Sequence, residues 1–350
     1  MTFAGISRSL LNYRKLIYIL LGLVFVLFGL LDAWGLSSKY LLSTMIFIAI
    51  NAIVALGLGL LGGVAGQISF GTSAFYAIGA YTSGILSTQY NLSPWLTMAF
   101  SAFLAGVVAY IIGRQVLHLH GFVLGVITLA FSWILWRLTG QLTITGGYDG
   151  ISHIPRFAIG SFVFTDDIHY YFLVLGILAI LQIIALNLEK SRIGRDFRAM
   201  NIYHGGSEVA AMTLGIRLGS TKNLLFVLCA VYAAIGGSLY AHYVSYLSPE
   251  PFNIHYNFIL YLMVVLGGIR SVWGPMIGAS VYWGLKEGIT YGMPEGVATA
   301  GISAATEIII FAVLFIGIIT FLPQGLVSVP SLLKERHRRK TALRHERALG

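Results

Sequence analysis

Charge is what this sequence lacks. Only 10% of its 350 residues are Asp, Glu, Lys or Arg, where a soluble domain carries about 25%. The hydrophobic share is 57% and the mean hydropathy is +0.83. A chain this poor in charge is excluded from the soluble globular class and placed among integral membrane proteins. Cysteine is nearly absent too. The single Cys229 lies in an apolar run; it excludes a disulfide within the chain and a thiolate metal site, and reads as a small packing residue. The motif G-x-x-x-x-G-K-[ST] is missing, so the chain does not hydrolyse ATP through a phosphate loop. Neither a His/Cys spacing for a catalytic metal nor a nucleophile elbow is present. These absences leave transport ahead of catalysis.

What is present is oil in long pieces. Apolar runs of about 20 residues, enough to cross a bilayer as helices, recur from Leu16 to Leu322. A membrane β-barrel would instead show alternating segments of about ten residues. The expected fold is all-α and polytopic, with spans at 16–31, 40–62, 66–88, 94–113, 121–139, 168–188, 222–247, 254–269, 274–292 and 302–322. Arg8, Arg14 and Lys15 precede the first run as in a signal peptide, but "LDAWGLSSKY" offers no small-residue cleavage site, so an uncleaved first span is expected. A net charge of +9 and a pI near 9.6 would point to nucleic acid in a soluble protein. Here basic residues hold orientation from cytoplasmic loops. Ten spans put Arg114, the 189–222 loop, Arg270 and the C-terminal tail on one side with the N-terminus. The acidic loops with Asp149, Asp166, Asp167, Glu250 and Glu295 fall on the other. Both termini are therefore expected in the cytoplasm.

Four segments interrupt the oil. "GGVAGQISFGTSAFYAIGAYTSGIL" holds Gly62, Gly63, Gly66, Gly71, Gly79 and Gly84 among Gln67, Ser69, Thr72 and Ser73. Glycine inside a membrane helix permits close packing or marks a break, and transporters line their pathways with broken helices. The clustering of Gln and hydroxyls favours a pathway here, with Gln67, Ser69, Phe70, Gly71, Thr72 and Phe75 as candidate lining. "VVLGGIRSVWGPMIGASVY" repeats the outline through Gly268, Ser271, Gly274, Gly278, Ala279 and Tyr282. Ser271 and Trp273 are its candidate lining residues, and an internal repeat about a central pathway is expected. The outer-loop stretch "TITGGYDGISHIPR" reads equally as a capping turn and as a surface for an external partner.

The fourth interruption, residues 191–222, carries Arg192, Arg195, Arg198, Arg217 and Lys222. Ser207 and Glu208 open a short helix over "VAAMTL" that Gly215 ends. Its alanines leave a smooth surface able to dock in a groove. Ionisable residues within spans normally face protein or water, so Lys286 is expected to pair with Glu307, with Glu287, Asn51 and Gln182 as further buried polar groups. His118, His120, His242 and His255 read as solvated residues near span ends.

Several motifs taken in order resemble one family, the M-type permease subunit of branched-chain amino-acid ATP-binding cassette importers. They are "GQISFGTSAFYAIGAYT", "LHGFVLGVITLAF", "ITGGYDGI", "GRDFRAM", "EVAAMTLGI", "YAHYVSYLSPEPF", "LMVVLGGIRSVWGPMIGA" and "LPQGL", covering Tyr40 to Val327. The resemblance implies a coupling loop on an ATPase, with Gly194, Arg195, Arg198, Glu208, Ala210, Ala211 and Gly215 at the contact. It further implies a homologous permease partner, two ATPase subunits that hold ATP and Mg, and an external solute-binding protein. This chain would bind no cofactor and no nucleic acid, and would lie in a bacterial or archaeal inner membrane. "NIYHGG" between "GRDFRAM" and "SEVAAMTLGI" departs from the family pattern, making the loop longer and less charged. Relatives that carry urea, short amides or small carboxylates belong to the same group. Two other classes are an ion-coupled secondary transporter, which would work without an ATPase, and a membrane enzyme, which needs a convergent acid, base or metal set that these spans do not show.

Residues 1–333 thus read as a transmembrane domain with its coupling loop at 189–222, and 334–350 as a basic cytoplasmic tail. In the tail Lys334, Arg336, Arg338, Arg339, Lys340, Arg344 and Arg347 outnumber Glu335 and Glu346. Such clusters attract anionic lipid at about 1 kcal/mol per basic residue near the surface. Deleting 334–350 is expected to weaken binding to phosphatidylserine vesicles and to leave solute uptake intact. Complete loss of uptake in that variant would assign the tail to a protein contact instead.

Overall fold

The computed structural model describes residues 39–292, apart from Ile68, His118, His120, Gly121, Ser161 and 201–206, and beyond them residues 313, 316, 317, 320 and 325–328. The expected span at 16–31, most of that at 302–322, Glu307, "NIYHGG" and the basic tail lie outside the described residues.

The described chain is helical. Its elements are α1 (Lys39–Gly59), a wider π turn (Leu60–Val64), α2 (Thr72–Gln89), α3 (Pro94–Val116), α4 (Phe122–Gln141), α5 (Asp167–Lys190), α6 (Arg192–Met200), α7 (Glu208–Thr213), α8 (Leu218–Val244), α9 (Ile254–Gly267) and α10 (Gly274–Gly292). Four two-residue strands, β1 (Ile151–Ser152), β2 (Ala158–Ile159), β3 (Phe162–Val163) and β4 (Tyr246–Leu247), pair antiparallel as β1 with β4 and β2 with β3. Among the described residues, five stretches are long and apolar enough to cross a membrane: Leu41–Val64, α3, Val123–Gln141, α5 and α8. The expected span at 66–88 begins as a helix only at Thr72, and that at 254–269 forms a helix of 14 residues.

Local sequence sets the helix ends. Pro94 opens α3, where its missing N–H costs nothing. The Asn253 side chain accepts from the Tyr256 N–H at 3.2 Å and caps α9. Ser245 closes α8 in the left-handed region, φ 59°.

Among the described spanning helices, α1 and α8 are the most buried. In Leu41–Val64, 83% of the most apolar window is buried, against 33% in α3, α4 and α5, so α1 is central and those three are peripheral. On α3 the division is visible residue by residue. Thr97, Ser101, Ala105, Ala109 and Gly113, each four apart, are buried against α8. Leu96, Phe100, Phe103, Val107, Tyr110 and Ile111 are exposed on the opposite face. Without a hydrophobic drive between helices in lipid, close backbone contact through small residues holds the bundle together. The α2–α8 crossing is the tightest case: a Cβ on Gly79 would overlap the Ala234 carbonyl, and one on Gly237 the Tyr76 carbonyl.

One face of the bundle carries β1–β4, with the ends of α2, α4 and α8. The opposite face carries α6 and α7. Asp149, Asp166, Asp167 and Glu250 lie at the first face, while Arg192, Arg195, Arg198 and Arg217 lie at the second, which is the charge division read from sequence.

Gly79→Val is expected to destabilise the detergent-solubilised protein by about 1–3 kcal/mol or more, the range for overpacking. Gly176→Ala is the matched control, since nothing lies within 4 Å of its added Cβ. Equal thermal midpoints for the two variants would contradict the close crossing.

Candidate functional site

The first break begins where α1 widens into the π turn and ends. Gly66 then takes φ +69°, a conformation that costs a side-chain-bearing residue, and the chain stays non-helical until Thr72. This stretch is buried, so its backbone needs partners inside the protein. The Phe70 N–H donates to Thr128 Oγ1 at 2.9 Å, Ser132 Oγ donates to the Phe70 carbonyl at 2.7 Å, and the Gly71 N–H donates to Ser69 Oγ at 3.3 Å. At the start of α2, the Ser73 N–H donates to Asn257 Oδ1 at 2.8 Å and Asn257 Nδ2 donates back to Ser73 Oγ at 2.6 Å. Gln67 Oε1 is buried without a partner among the described residues.

The second break has the same plan. After α9, Gly268 takes φ +120°, and Ser271 Oγ accepts from the Trp273 N–H at 3.3 Å, two residues on, as Ser69 does for Gly71. Gly66 and Gly268, Ser69 and Ser271, and the helix starts Thr72 and Gly274 share one offset of 202 residues. Glycine, serine and helix start thus recur in the same order at both breaks. Gly274 corresponds to Thr72 and not to Gly71, because the two helices start three residues after their serines. The two breaks also meet: a Cβ on Gly63 would overlap the Ile269 carbonyl. Gln182 on α5 reaches the second break, with Nε2 donating to the Val272 carbonyl at 3.3 Å.

Among the candidate lining residues, Gln67, Ser69, Gly71, Thr72 and Phe75 are buried, while Phe70, Ser271 and Trp273 are half-buried. Phe70 packs on Phe258 and Tyr261 of α9, with centroids 5.3 and 5.5 Å away. Phe75 packs on Phe131 and Phe226, each at 5.5 Å, and belongs to the core. Gly71 has φ −92°, open to any residue, so its backbone angle does not require glycine. That requirement falls on Gly66.

The charged loop is anchored by its apolar side. Phe197, Met200 and Ala211 are buried. Ser191 Oγ accepts from the Gly194 N–H at 3.1 Å and starts α6, and a Cβ on Gly194 would overlap the carbonyls of Leu188 and Glu189. Arg195 is exposed, and Arg198 lies 4.0 Å from Glu189. Ser207 caps α7 with its backbone only, its carbonyl accepting from the Ala211 N–H at 2.9 Å; the expected side-chain cap is absent. Gly215 ends α7 at φ +81° as expected. The two alanines separate. Ala210 is exposed, but Ala211 is 1% exposed and faces this chain's own packing, so it offers no outer surface. The outer face is made by Val209, Ala210, Met212 and Leu214, the last 76% exposed. Glu208 begins α7.

Several polar residues sit differently from expectation. His242 is fully buried, and is not the solvated residue its place near a span end had implied. Its Nδ1 lies 2.6 Å from the Pro155 carbonyl, which can only accept, so Nδ1 carries the proton; Nε2 of the neutral ring accepts from Ser83 Oγ at 2.8 Å. Ser83 also meets Thr97 and Ser238 at 2.9 and 2.8 Å. This network fastens the 142–166 loop onto α2, α3 and α8. His255 is exposed as expected. The Lys286 ammonium lies 5.2 Å from the Trp283 ring centroid, while Glu287 Oε1 accepts from Thr44 at 3.0 Å. Asn51 Oδ1 accepts from the Tyr256 hydroxyl at 2.7 Å.

Two helix breaks at one sequence offset thus touch inside an all-α bundle. Residues 40–319 match the family described as the permease component of branched-chain amino acid transport systems. The chain belongs to that family. Among its relatives, this permease chain is 30% identical over 223 residues to the high-affinity branched-chain amino acid transport system permease protein LivM of Escherichia coli (strain K12), covering 57% of this chain and 52% of that one. LivM of Salmonella typhimurium is 28% identical over the same length. LivH of Escherichia coli (strain K12) is 28% identical over 163 residues, 46% of this chain and 48% of that one. The chain spans about half the length of the curated relatives it matches. No solved structure matches it.

The glycines and serines of this permease's breaks stand out in the sequence and Gln182 is expected to be buried, but Thr128, Ser132 and Asn257 are not singled out there. Thr128, Ser132, Gln182 and Asn257 are single polar residues in apolar runs, and that isolation was the available signal. Gly66→Ala is expected to cost about 1–2 kcal/mol, the penalty for a Cβ in the left-handed region. Gly71→Ala, whose Cβ would meet its nearest neighbours at an ordinary 3.5 Å, should cost less. Thermal unfolding of the two variants tests the assignment, and the opposite ranking would refute it.

Proposed function

We propose that this chain is a membrane-embedded permease subunit of an ATP-driven importer that carries branched-chain amino acids or similar small amphipathic solutes. The carrying observation is the family match over 40–319. The broken helices support it physically, because irregular backbone at membrane depth is tolerated where it is buried or lines a water-filled path. The solute passes along the interface with a second, homologous permease, past the half-buried Phe70, Ser271 and Trp273. Likeness to both LivM and LivH supports a pair of related permeases.

Energy comes from two ATPase subunits that hold ATP and Mg, and an external binding protein delivers the solute. The 189–222 loop is the coupling element of the membrane domain, and 334–350 is a basic cytoplasmic tail. α7 presents Val209, Ala210, Met212 and Leu214 to the ATPase, with Arg195 beside it, while Phe197, Met200 and Ala211 root the loop in the bundle. A push on α7 then reaches α8 directly: the Ile216 N–H donates to the Ala211 carbonyl at 3.1 Å, and α8 begins at Leu218. The face carrying α6 and α7 is cytoplasmic by its excess of arginine, so both termini are cytoplasmic in a prokaryotic inner membrane.

Ala210→Arg tests the coupling role, and Ala211 does not, since arginine there would strike this chain's own interior. A charge forced into an apolar groove without a partner is costly. Ala210→Arg should leave the membrane protein folded and lower solute-stimulated ATP hydrolysis by about tenfold or more. Unchanged stimulation in a correctly folded variant would remove α7 from the contact. Uptake that persists with no ATPase present and follows an ion gradient would remove the importer reading altogether.

A further inference from the structure

One stretch of the outer face carries no charge. It runs over residues 157–165, between Arg156 and the neighbours Asp166 and Asp167. Its middle forms β2 and β3, with Ala158 opposite Val163 and Ile159 opposite Phe162. The base of this hairpin is polar: the Arg156 guanidinium donates to the Thr165 carbonyl and lies 3.9 Å from Asp167. The tip is apolar and bare. Ile159 is 61% exposed and Phe162 49%, Val163 is exposed beside them, and nothing lies within 4 Å of a Cβ added to Gly160. A two-stranded hairpin is marginal in water by itself, and apolar side chains clustered on a surface mark a contact.

Its position identifies the contact. Trp95, in the first turn of α3, donates its indole N–H to the Ala158 carbonyl at 2.9 Å. The Phe162 ring stands edge-on to the His169 ring in the first turn of α5, with centroids 5.1 Å apart. Both helices are long and apolar enough to cross a bilayer, and both are peripheral, so their first turns lie at its boundary. His169 heads a row on α5: His169, Phe172, Gly176, Ile180 and Ile183 are exposed at spacings of three or four, on a single face. On α3, Leu96 beside Trp95 heads the exposed row that continues through Phe100 and Phe103. These are the faces the two helices turn to lipid. The hairpin thus stands at the head of both lipid-facing rows. Phe157 beneath it is buried, with its ring 4.9 Å from that of Trp95, and roots it in the bundle.

We propose that the β2–β3 hairpin is an interfacial anchor whose partner is the outer leaflet of the membrane. Ile159, Phe162 and Val163 enter the zone between headgroups and acyl chains, while Arg156, Asp166 and Asp167 stay in water. Trp95 marks the depth, since indole rings favour that level. A lipid surface suits this tip better than a protein partner. The rows it heads already face lipid, and residues 157–165 offer no charge to fix the register of a protein contact. Shallow insertion of this kind draws its strength from buried apolar area. The anchor depends only on α3 and α5 spanning the bilayer, and not on which solute is carried or what drives it.

The test uses the full chain in nanodiscs of phosphatidylethanolamine and phosphatidylglycerol. Cys229 is the chain's only cysteine, so Cys229→Ala gives a background for single thiols. Ile159→Cys places one thiol at the tip, and Ser152→Cys places a control on β1, exposed on the same outer face. Each is labelled with a nitrobenzoxadiazole dye. Phospholipid spin-labelled near the top of its acyl chain should quench the dye at 159 at least about threefold more than the dye at 152, and aqueous iodide should do the reverse. Because a dye can drag a tip into lipid, the bare thiols are also timed with a charged methanethiosulfonate reagent. Apolar surroundings disfavour the reactive thiolate, so Ile159→Cys should react about tenfold more slowly than Ser152→Cys. Equal quenching and equal reactivity put the tip in water and overturn the proposal. A slow thiol without quenching by lipid also overturns it, and assigns the hairpin to a contact with another protein. Lipid quenching beside a fast thiol shows a tip drawn in by its dye, and overturns it as well.

Discussion

Within a bilayer no water is at hand to satisfy a backbone amide, and every N–H and carbonyl must find a partner in the protein. The rest of this structure follows from how that demand is met at two places where helices stop short. At Phe70 the partners are Thr128 and Ser132 of α4; at Ser73 the partner is Asn257 of α9; at Val272 it is Gln182 of α5. Each break is thus held from outside its own helices. The peripheral α4 and α5 do more than face lipid: they carry the hydroxyls and amides that make irregular backbone affordable in the centre.

The second dependence is steric. Helices in lipid gain little from apolar contact alone, so their association rests on close backbone approach and on hydrogen bonds between them. Thr97, Ser101, Ala105, Ala109 and Gly113 form a groove for α8, and Gly79 and Gly237 let α2 and α8 touch backbone to backbone. Polar contacts sit in the same places. Ser83, Thr97, Ser238 and His242 share one buried cluster at the meeting of three helices. The small residues and the hydroxyls are one device, since a larger side chain at any of these positions would separate the partners of the bond.

Hydropathy made the fold class legible, because a chain with so little charge has few alternatives, and glycines beside hydroxyls marked both breaks. The register of the repeat was harder to read. Gly71 and Gly274 look alike in sequence, yet φ −92° at Gly71 shows that its glycine answers no backbone need, whereas Gly66 and Gly268 occupy positive φ. Sequence shows where glycine is, and only geometry shows why. Ala211 makes the same point for the charged loop. In a six-residue helix, adjacent alanines point about 100° apart, so one can be rooted while the other is presented. His242 lies near a helix end yet away from water, because the 142–166 loop folds over it through Pro155.

The pairing of β1 with β4 is only two residues long, but it joins segments far apart in the chain, Ile151 to Leu247 and Ser152 to Tyr246. Tyr246 adds a hydroxyl bond to the Asp149 carbonyl at 3.0 Å, and His242 adds one to Pro155. The loop after α4 is in this way riveted to the end of α8 and cannot travel without it. Since α8 runs from this rivet to the loop that carries α7, it acts as a connecting rod. A tug on the roof at one end and a shove on the charged loop at the other are loads on the same beam.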